Sequence, residues 1–311
     1  RRWAPRPTAG PLSPENATMS THTRTLAAVS LAGALTLTAT ACTASPDSDA
    51  SPALIPHVHD VAFDLDGALL VGAHTGVYRV DLTTDEVSLV GKTTFDAMGL
   101  TVQGDTILAS GHPDPANQDH TFTAPNVGLV RYSEAGWEQV SLAGVTDFHM
   151  LAATPAAPEI LLGLPSDRAV LAESTDAGQT WADLVPLTAR DISINTTQAD
   201  IVTATTPDGL MVSRDGGTTF SPVPNAPALL VITADPTVEE GIIGVDTDGT
   251  IWTGATTPDA VWRTAGHATG TASAIAVSWE GIVVIADEGG VRTTSDAGNT
   301  WRVVIRTEPT S

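Results

Sequence analysis

Only one cysteine, Cys42, occurs in 311 residues. That excludes an intrachain disulfide framework and any cysteine-based zinc-finger spacing. Basic side chains are scarce: 14 Lys+Arg face 36 Asp+Glu, for a formal net charge of −22 at pH 7. Four of the basic residues (Arg1, Arg2, Arg6, Arg24) and one acid (Glu15) precede Cys42, which leaves 10 basic against 35 acidic residues beyond it. Such a surface repels phosphate backbones and anionic headgroups, so no nucleic-acid partner is expected. It does raise the local concentration of cations. Past residue 57 there is no sustained helical period and no apolar stretch long enough to span a membrane. What is present is apolar substance for a large core, with 42% hydrophobic and only 16% charged residues.

The region before residue 57 has its own organisation. Met19 opens a segment with His22 and Arg24 near its front, followed by an apolar and small-residue run from Leu26 to Ala41. That run has the length of a signal-peptide hydrophobic region and is short for a transmembrane helix. Ala39-Thr40-Ala41-Cys42 resembles a lipobox, although Ala39 stands where leucine is usual. The expected division is an upstream extension over 1–18, a lipoprotein signal peptide over 19–41, and a flexible tether over 42–56 rich in Ser, Pro, Asp and Ala. Cys42 is the expected lipidation site. The expected location is extracytoplasmic, on the bacterial cell membrane through the lipid anchor.

The remainder is repetitive. Ser174-Thr-Asp176-Ala-Gly178-Gln-Thr180-Trp181, Ser213-Arg-Asp215-Gly-Gly217-Thr-Thr219-Phe220 and Thr294-Ser-Asp296-Ala-Gly298-Asn-Thr300-Trp301 share one pattern. Its physics is that of a hairpin turn: the Asp accepts from turn amides, the Gly takes positive φ, and the aromatic packs between sheets. The three Asp residues are separated by 39 and 81 residues, one repeat and about two. Decayed copies fill the series at Trp137 and at Asp259 to Trp262, so the aromatics run Trp137, Trp181, Phe220, Trp262, Trp301. Within each repeat four short apolar or alternating runs are separated by Gly and Asp. In the last they are Ala274–Ser278, Ile282–Asp287, Val291–Thr294 and Trp301–Arg306. The expectation is an all-β β-propeller over 57–307 with a tail at 308–311. Its blades, about six and four-stranded, are expected at 57–92, 94–142, 147–186, 189–225, 227–267 and 270–307. Asp64-Leu-Asp66-Gly67 and Asp246-Thr-Asp248-Gly249 look like fragments of calcium loops but lack the Glu at the twelfth position, so they read as hairpin turns.

The repeated octapeptide resembles the Asp box (BNR repeat), and the chain from His57 onward resembles exported bacterial Asp-box propellers, loosely labelled sialidase-like or glycosyl hydrolase-like. The same box occurs in sortilin-type propellers and in a photosystem assembly factor. The resemblance implies the fold, with Asp176, Asp215 and Asp296 as structural turn residues, and little about activity. Sialidase chemistry requires an Arg-Ile-Pro signature in the first blade, which is missing. It also requires a tyrosine nucleophile, and both Tyr78 and Tyr132 fall in strands as packing residues.

Seven histidines lie beyond Cys42, six of them between residues 57 and 149. His59, Met98 and His149 start the first strands of three successive blades, at equivalent positions. His74 and His112 share a second equivalent position, the end of the second strand in blades 1 and 2. His57 is two residues from His59, on the same side of its strand. First strands line the channel of a propeller, so His57, His59, His74, Met98, His112 and His149 are the candidate metal ligands at one mouth. Imidazole with thioether suits copper, Cu(I) in particular. His120 falls in a long insertion and His267 in a surface loop. The expected function is therefore a surface-anchored propeller that binds a ligand or partner at the mouth of blades 1–3 through a copper ion. Two alternatives stand beside it: a glycan-acting hydrolase using mouth carboxylates, and a non-catalytic assembly or scaffold propeller. No residue is assigned a catalytic role.

Overall fold

A computed structural model describes residues 52–116 and 121–307. Cys42, the segments 1–18 and 19–41, His120 and the tail at 308–311 lie outside the described residues. The described residues form six sheets, each built on four antiparallel strands in sequence order, one of them with a fifth strand added at its edge. They contain no helix, and so none long and apolar enough to cross a membrane.

Blade 1 holds β2 (Val58–Phe63), β3 (Leu69–Ala73), β4 (Gly76–Val80) and β5 (Val87–Leu89). Blade 2 holds β6 (Phe95–Gln103), β7 (Thr106–Pro113), β8 (Gly128–Ser133) and β9 (Gly136–Ser141). Blade 3 follows with β10 (Phe148–Ala153), β11 (Leu161–Pro165), β12 (Val170–Ser174) and β13 (Ala182–Pro186). Blade 4 is β14 (Asp191–Ile194), β15 (Val202–Thr206), β16 (Gly209–Ser213) and β17 (Ser221–Pro222). Blade 5 is β18 (Leu229–Asp235), β19 (Gly241–Asp246), β20 (Thr250–Ala255) and β21 (Arg263–His267). Blade 6 is β22 (Ala272–Val277), β23 (Val283–Asp287), β24 (Gly290–Thr294) and β25 (Arg302–Thr307). Contacts between first strands pass round the ring from β2 through β6, β10, β14, β18 and β22, and from β22 back to β2. This is a six-bladed β-propeller, with blade limits within two or three residues of those expected.

One element departs from the expectation. Ala53–Ile55, inside the segment read as a tether, forms β1 and pairs in parallel with β25, Ala53 opposite Ile305 and Ile55 opposite Thr307. The outer edge of blade 6 would otherwise present unpaired backbone groups, and this short strand covers part of it.

The core is a ring of six junctions. Each hydrophobic cluster draws on two neighbouring blades: blades 6 and 1 meet at Val71, Val284 and Ile305, and blades 1 and 2 at Leu70, Phe95 and Val130. The other four clusters fill the remaining junctions in the same way. Each sheet is therefore covered on both faces. That is why second strands such as Leu69–Ala73 and Leu161–Pro165 are buried at every position and read as continuous apolar runs. Polar staples cross the same junctions. Asp60 of blade 1 accepts from Leu100 N at 2.8 Å, Ser110 Oγ of blade 2 from Phe148 N at 2.8 Å, and Asp191 of blade 4 from Ile232 N at 2.7 Å.

The three repeated turns each join a third strand to a fourth and share one bonding scheme. Asp176 Oδ1 accepts from Thr180 N at 2.8 Å, its Oδ2 from Thr180 Oγ1 at 2.7 Å, and Ser174 Oγ accepts from Gly178 N at 2.8 Å. Asp215 and Asp296 repeat this with Thr219 and Thr300. The two calcium-loop lookalikes are hairpin turns, Asp64 accepting from the amides of Asp66 and Ala68 and Asp246 from those of Asp248 and Thr250.

Candidate metal centre at the channel mouth

Five of the six first strands begin with a register break. The skipped residues are His59, Met98, His149, Leu230 and Ser273; β14 pairs without a break. A β-bulge of this kind re-aims its extra side chain. Here His59, Met98, His149 and Ser273 line one cavity of about 470 Å³, together with His57 and Arg190. Antiparallel order puts the starts of first strands and the ends of second strands at the same end of the channel. His74, just past β3, and His112, near the end of β7, therefore join this mouth, and the three Asp turns lie at the opposite end.

The structure divides the expected histidines between two groups and adds a carboxylate to each. In the first, His59 Nε2 lies 3.0 Å from Asp96 Oδ1 and His74 Nδ1 lies 3.0 Å from Asp96 Oδ2. The two ring nitrogens are 3.5 Å apart. The His57 ring stands beside both, at centroid distances of 4.9 Å from His59 and 5.4 Å from His74. In the second, His149 Nε2 lies 3.1 Å and His112 Nε2 3.6 Å from Asp147 Oδ2. Ser166 Oγ donates to the other oxygen of Asp147. Within each triad the three ligand atoms all lie within 4.8 Å of one another. Met98 belongs to neither triad. His267 is remote, beside Thr250 in blade 5.

Blade 2 contributes to both groups. Asp96 and His112 are directly paired residues of β6 and β7, yet Asp96 serves the group shared with blade 1 and His112 the group shared with blade 3. Directly opposed residues in an antiparallel pair have Cα atoms roughly 5 Å apart, so the two groups are close neighbours. Asp96 and Asp147 were missed in the sequence. Their signal was an offset: His57-x-His59, Asp96-x-Met98 and Asp147-x-His149 put a potential ligand two residues before each bulge position.

The electrostatics favour the ionised form of both carboxylates and shift two of the histidines in opposite directions. Burial opposes ionisation of Asp147, but His149, Ser166 and His112 outweigh it and hold the carboxyl below its ordinary value. Burial likewise opposes Asp96, and His59 and His74 outweigh it. Interaction with Asp147 raises His149 above the ordinary imidazole value, against desolvation. Burial lowers His57, and the neighbouring His59 and His74 lower it further. Asp96 Oδ1 and Asp147 Oδ2 are buried, and the imidazole nitrogens beside them stand close without good hydrogen-bond alignment. His112 makes the reason visible. Its Nδ1 is 3.3 Å from the Pro125 carbonyl oxygen, which can only accept, so Nδ1 carries the proton. In the neutral ring Nε2 then turns a lone pair toward the fully buried Asp147 carboxylate. Nitrogen and oxygen lone pairs directed at each other are unfavourable unless a positive charge lies between them.

Deeper in the channel Asp60 and Asp191 line a smaller cavity of about 210 Å³. Their oxygens accept backbone amides, from Val61 and Leu100 and from Ile192 and Ile232 respectively. They hold the ring together and offer no open ligand atom to the mouth.

Comparison with known proteins gives a fold and no family. No protein-family model matches the sequence, and no curated protein matches it significantly. Among solved structures, an enzyme described as an ancestral GH74 enzyme is similar at a TM-score of 0.54 and 13% identity, over 81% of this chain and 39% of that one. The GH74 xyloglucanase from Xanthomonas campestris gives a TM-score of 0.48 and 15% identity, over 81% of this chain and 46% of that one. The chain thus spans less than half the length of these enzymes. The likeness to the first is one of propeller architecture.

Proposed function

We propose that this protein is an extracytoplasmic metal-binding propeller. It holds a divalent transition-metal ion in each of two triads, His59, His74 and Asp96, and His112, Asp147 and His149. The observation that carries the reading is the pair of triads, each of which brings two imidazole nitrogens and one carboxylate oxygen within 4.8 Å of one another. Imidazole with carboxylate suits Zn²⁺ and Cu²⁺ better than Cu(I), whereas Met98 on the same cavity wall is the one soft donor. Two nitrogens and one oxygen leave a coordination position open in a tetrahedral site. The His112 contact to Pro125 and the Ser166 contact to Asp147 are the outer partners that orient such ligands.

Titration of the protein with Zn²⁺ and Cu²⁺ tests this. Two ions per chain, bound more tightly than micromolar, are expected. His112→Ala and His74→Ala should each remove one ion and leave the other, while His267→Ala changes nothing. Weaker binding, or a stoichiometry indifferent to both substitutions, would return these histidines to a structural role.

A glycan-acting hydrolase is less well supported. A glycosidase pair needs one carboxylic acid kept protonated beside a carboxylate. At this mouth Asp96 and Asp147 are both held below the ordinary carboxyl value and both are engaged by histidines. The scaffold alternative has no feature at the mouth in its favour.

A further inference from the structure

Arg190 is the one basic side chain other than histidine on the wall of the mouth cavity, and it has no hydrogen-bond or ion-pair partner for its guanidinium among the described residues. Arg263 and Arg306 also lack an ion pair among the described residues, but neither lines this cavity. Arg79, Arg131, Arg168, Arg214, Arg292 and Arg302 are all paired with carboxylates, as an excess of acids would dictate. Arg190 stays unpaired although it precedes Asp191, because both oxygens of that carboxyl are occupied by the amides of Ile192 and Ile232. Its backbone amide is anchored to the Thr205 carbonyl oxygen at 2.9 Å, which holds the residue at the mouth.

From this we infer that the mouth cavity binds an oxyanion, the phosphate or carboxylate group of a small molecule, held between the metal triads and Arg190. The inference rests on the metal reading above. Two divalent ions against the two triad carboxylates leave the triads net positive, and Arg190 of blade 4 supplies a further positive charge on the same cavity. A planar guanidinium matches the two oxygens of either anion. The open coordination positions accept an oxygen ligand. The rest of the wall is largely apolar, with Val58, Leu164, Pro165, Ala189 and Val231, and its Ser166 and Ser273 hydroxyls already donate elsewhere. About 470 Å³ is within the range of small-molecule pockets. Without metal the triads carry uncompensated carboxylate charge behind the cavity wall, so binding requires the loaded protein.

The test is calorimetric titration of inorganic phosphate, and separately of acetate, into apo and Zn²⁺-loaded propeller. Saturable binding of phosphate or acetate to the loaded protein and none to the apo protein is expected, and the stronger of the two names the anion class. Arg190→Gln should weaken that binding at least tenfold and Arg190→Lys by less, both with unchanged Zn²⁺ affinity. If Zn²⁺ binds but neither anion does, or Arg190→Gln binds the anion as well as the wild type, this inference fails and the metal reading survives. If Zn²⁺ itself does not bind, both fall.

Discussion

Asp191 accepts one amide at each carboxyl oxygen, from Ile192 beside it and from Ile232 in the next blade. Burial pushes its pKa from the ordinary 3.8 up to about 7, against those two hydrogen bonds and the nearby Arg190. Asp60 is raised in the same direction, chiefly by burial and further by Asp191. Between the unfolded and folded values of Asp191, the folded protein holds a proton that the unfolded chain has released. The stability linked to this group is therefore complete below about 3.8 and is lost as pH rises through about 7. The size is on the order of a few kcal/mol. Urea denaturation between pH 4 and 8 should give a wild-type curve that falls more steeply than that of Asp191→Asn. Parallel curves would mean that the carboxyl ionises as freely in the folded ring as outside it.

At the scale of the element, the turn after the third strand of blades 3, 4 and 6 is held by an aspartate, a threonine and a glycine. Gly178 has φ +85°, and a Cβ there would lie 2.2 Å from Leu129 Cδ2 and 3.1 Å from Leu161 Cδ1. Both are fully buried side chains at the junction of blades 2 and 3. Gly178→Ala is expected to cost about 1–3 kcal/mol through backbone strain and overpacking. The turn lies at the end of the channel opposite the triads, so metal stoichiometry should not change. Thermal denaturation with and without Zn²⁺ checks both halves, and an unshifted midpoint would show that the junction yields more easily than its packing implies. The bulges at His59, Met98 and His149 belong to the same scale. Repeat alignment marks these residues as equivalent, but a bulge is a property of strand pairing and leaves no pattern in one strand's sequence.

At the scale of the molecule, closure is carried by burial at six junctions and by contact between β22 and β2. The parallel strand β1 lies on the outer edge of blade 6, so the first described strand sits at the rim of the propeller. Lipidation at Cys42 is the proposed means of membrane attachment. Mass spectrometry of the membrane fraction should find a diacylglycerol-modified N-terminus at Cys42. A Cys42→Ala protein that still fractionates with membranes would count against the anchor.

Blade limits and a count of about six were legible in the residues, because each blade buries both sheet faces and must repeat its apolar runs and its turns about every forty residues; ring closure in the structure settles the count at six. The sequence also placed His59, Met98 and His149 at one mouth, since equivalent repeat positions share a depth in the ring. It did not reveal that β1 completes blade 6, because three residues of ordinary composition carry no signal apart from the edge they cover. Nor did it reveal which side chains form groups. Asp96 turns to the histidines of blade 1 while its pairing partner His112 turns to Asp147 of blade 3. Only the tertiary structure decided that, for two reasons. A ligand set is defined by distances of a few ångströms between blades, whereas repeat alignment supplies only each residue's height along its own strand. And a carboxylate's partner, unlike an apolar residue's burial, depends on the one neighbour within reach of its oxygens.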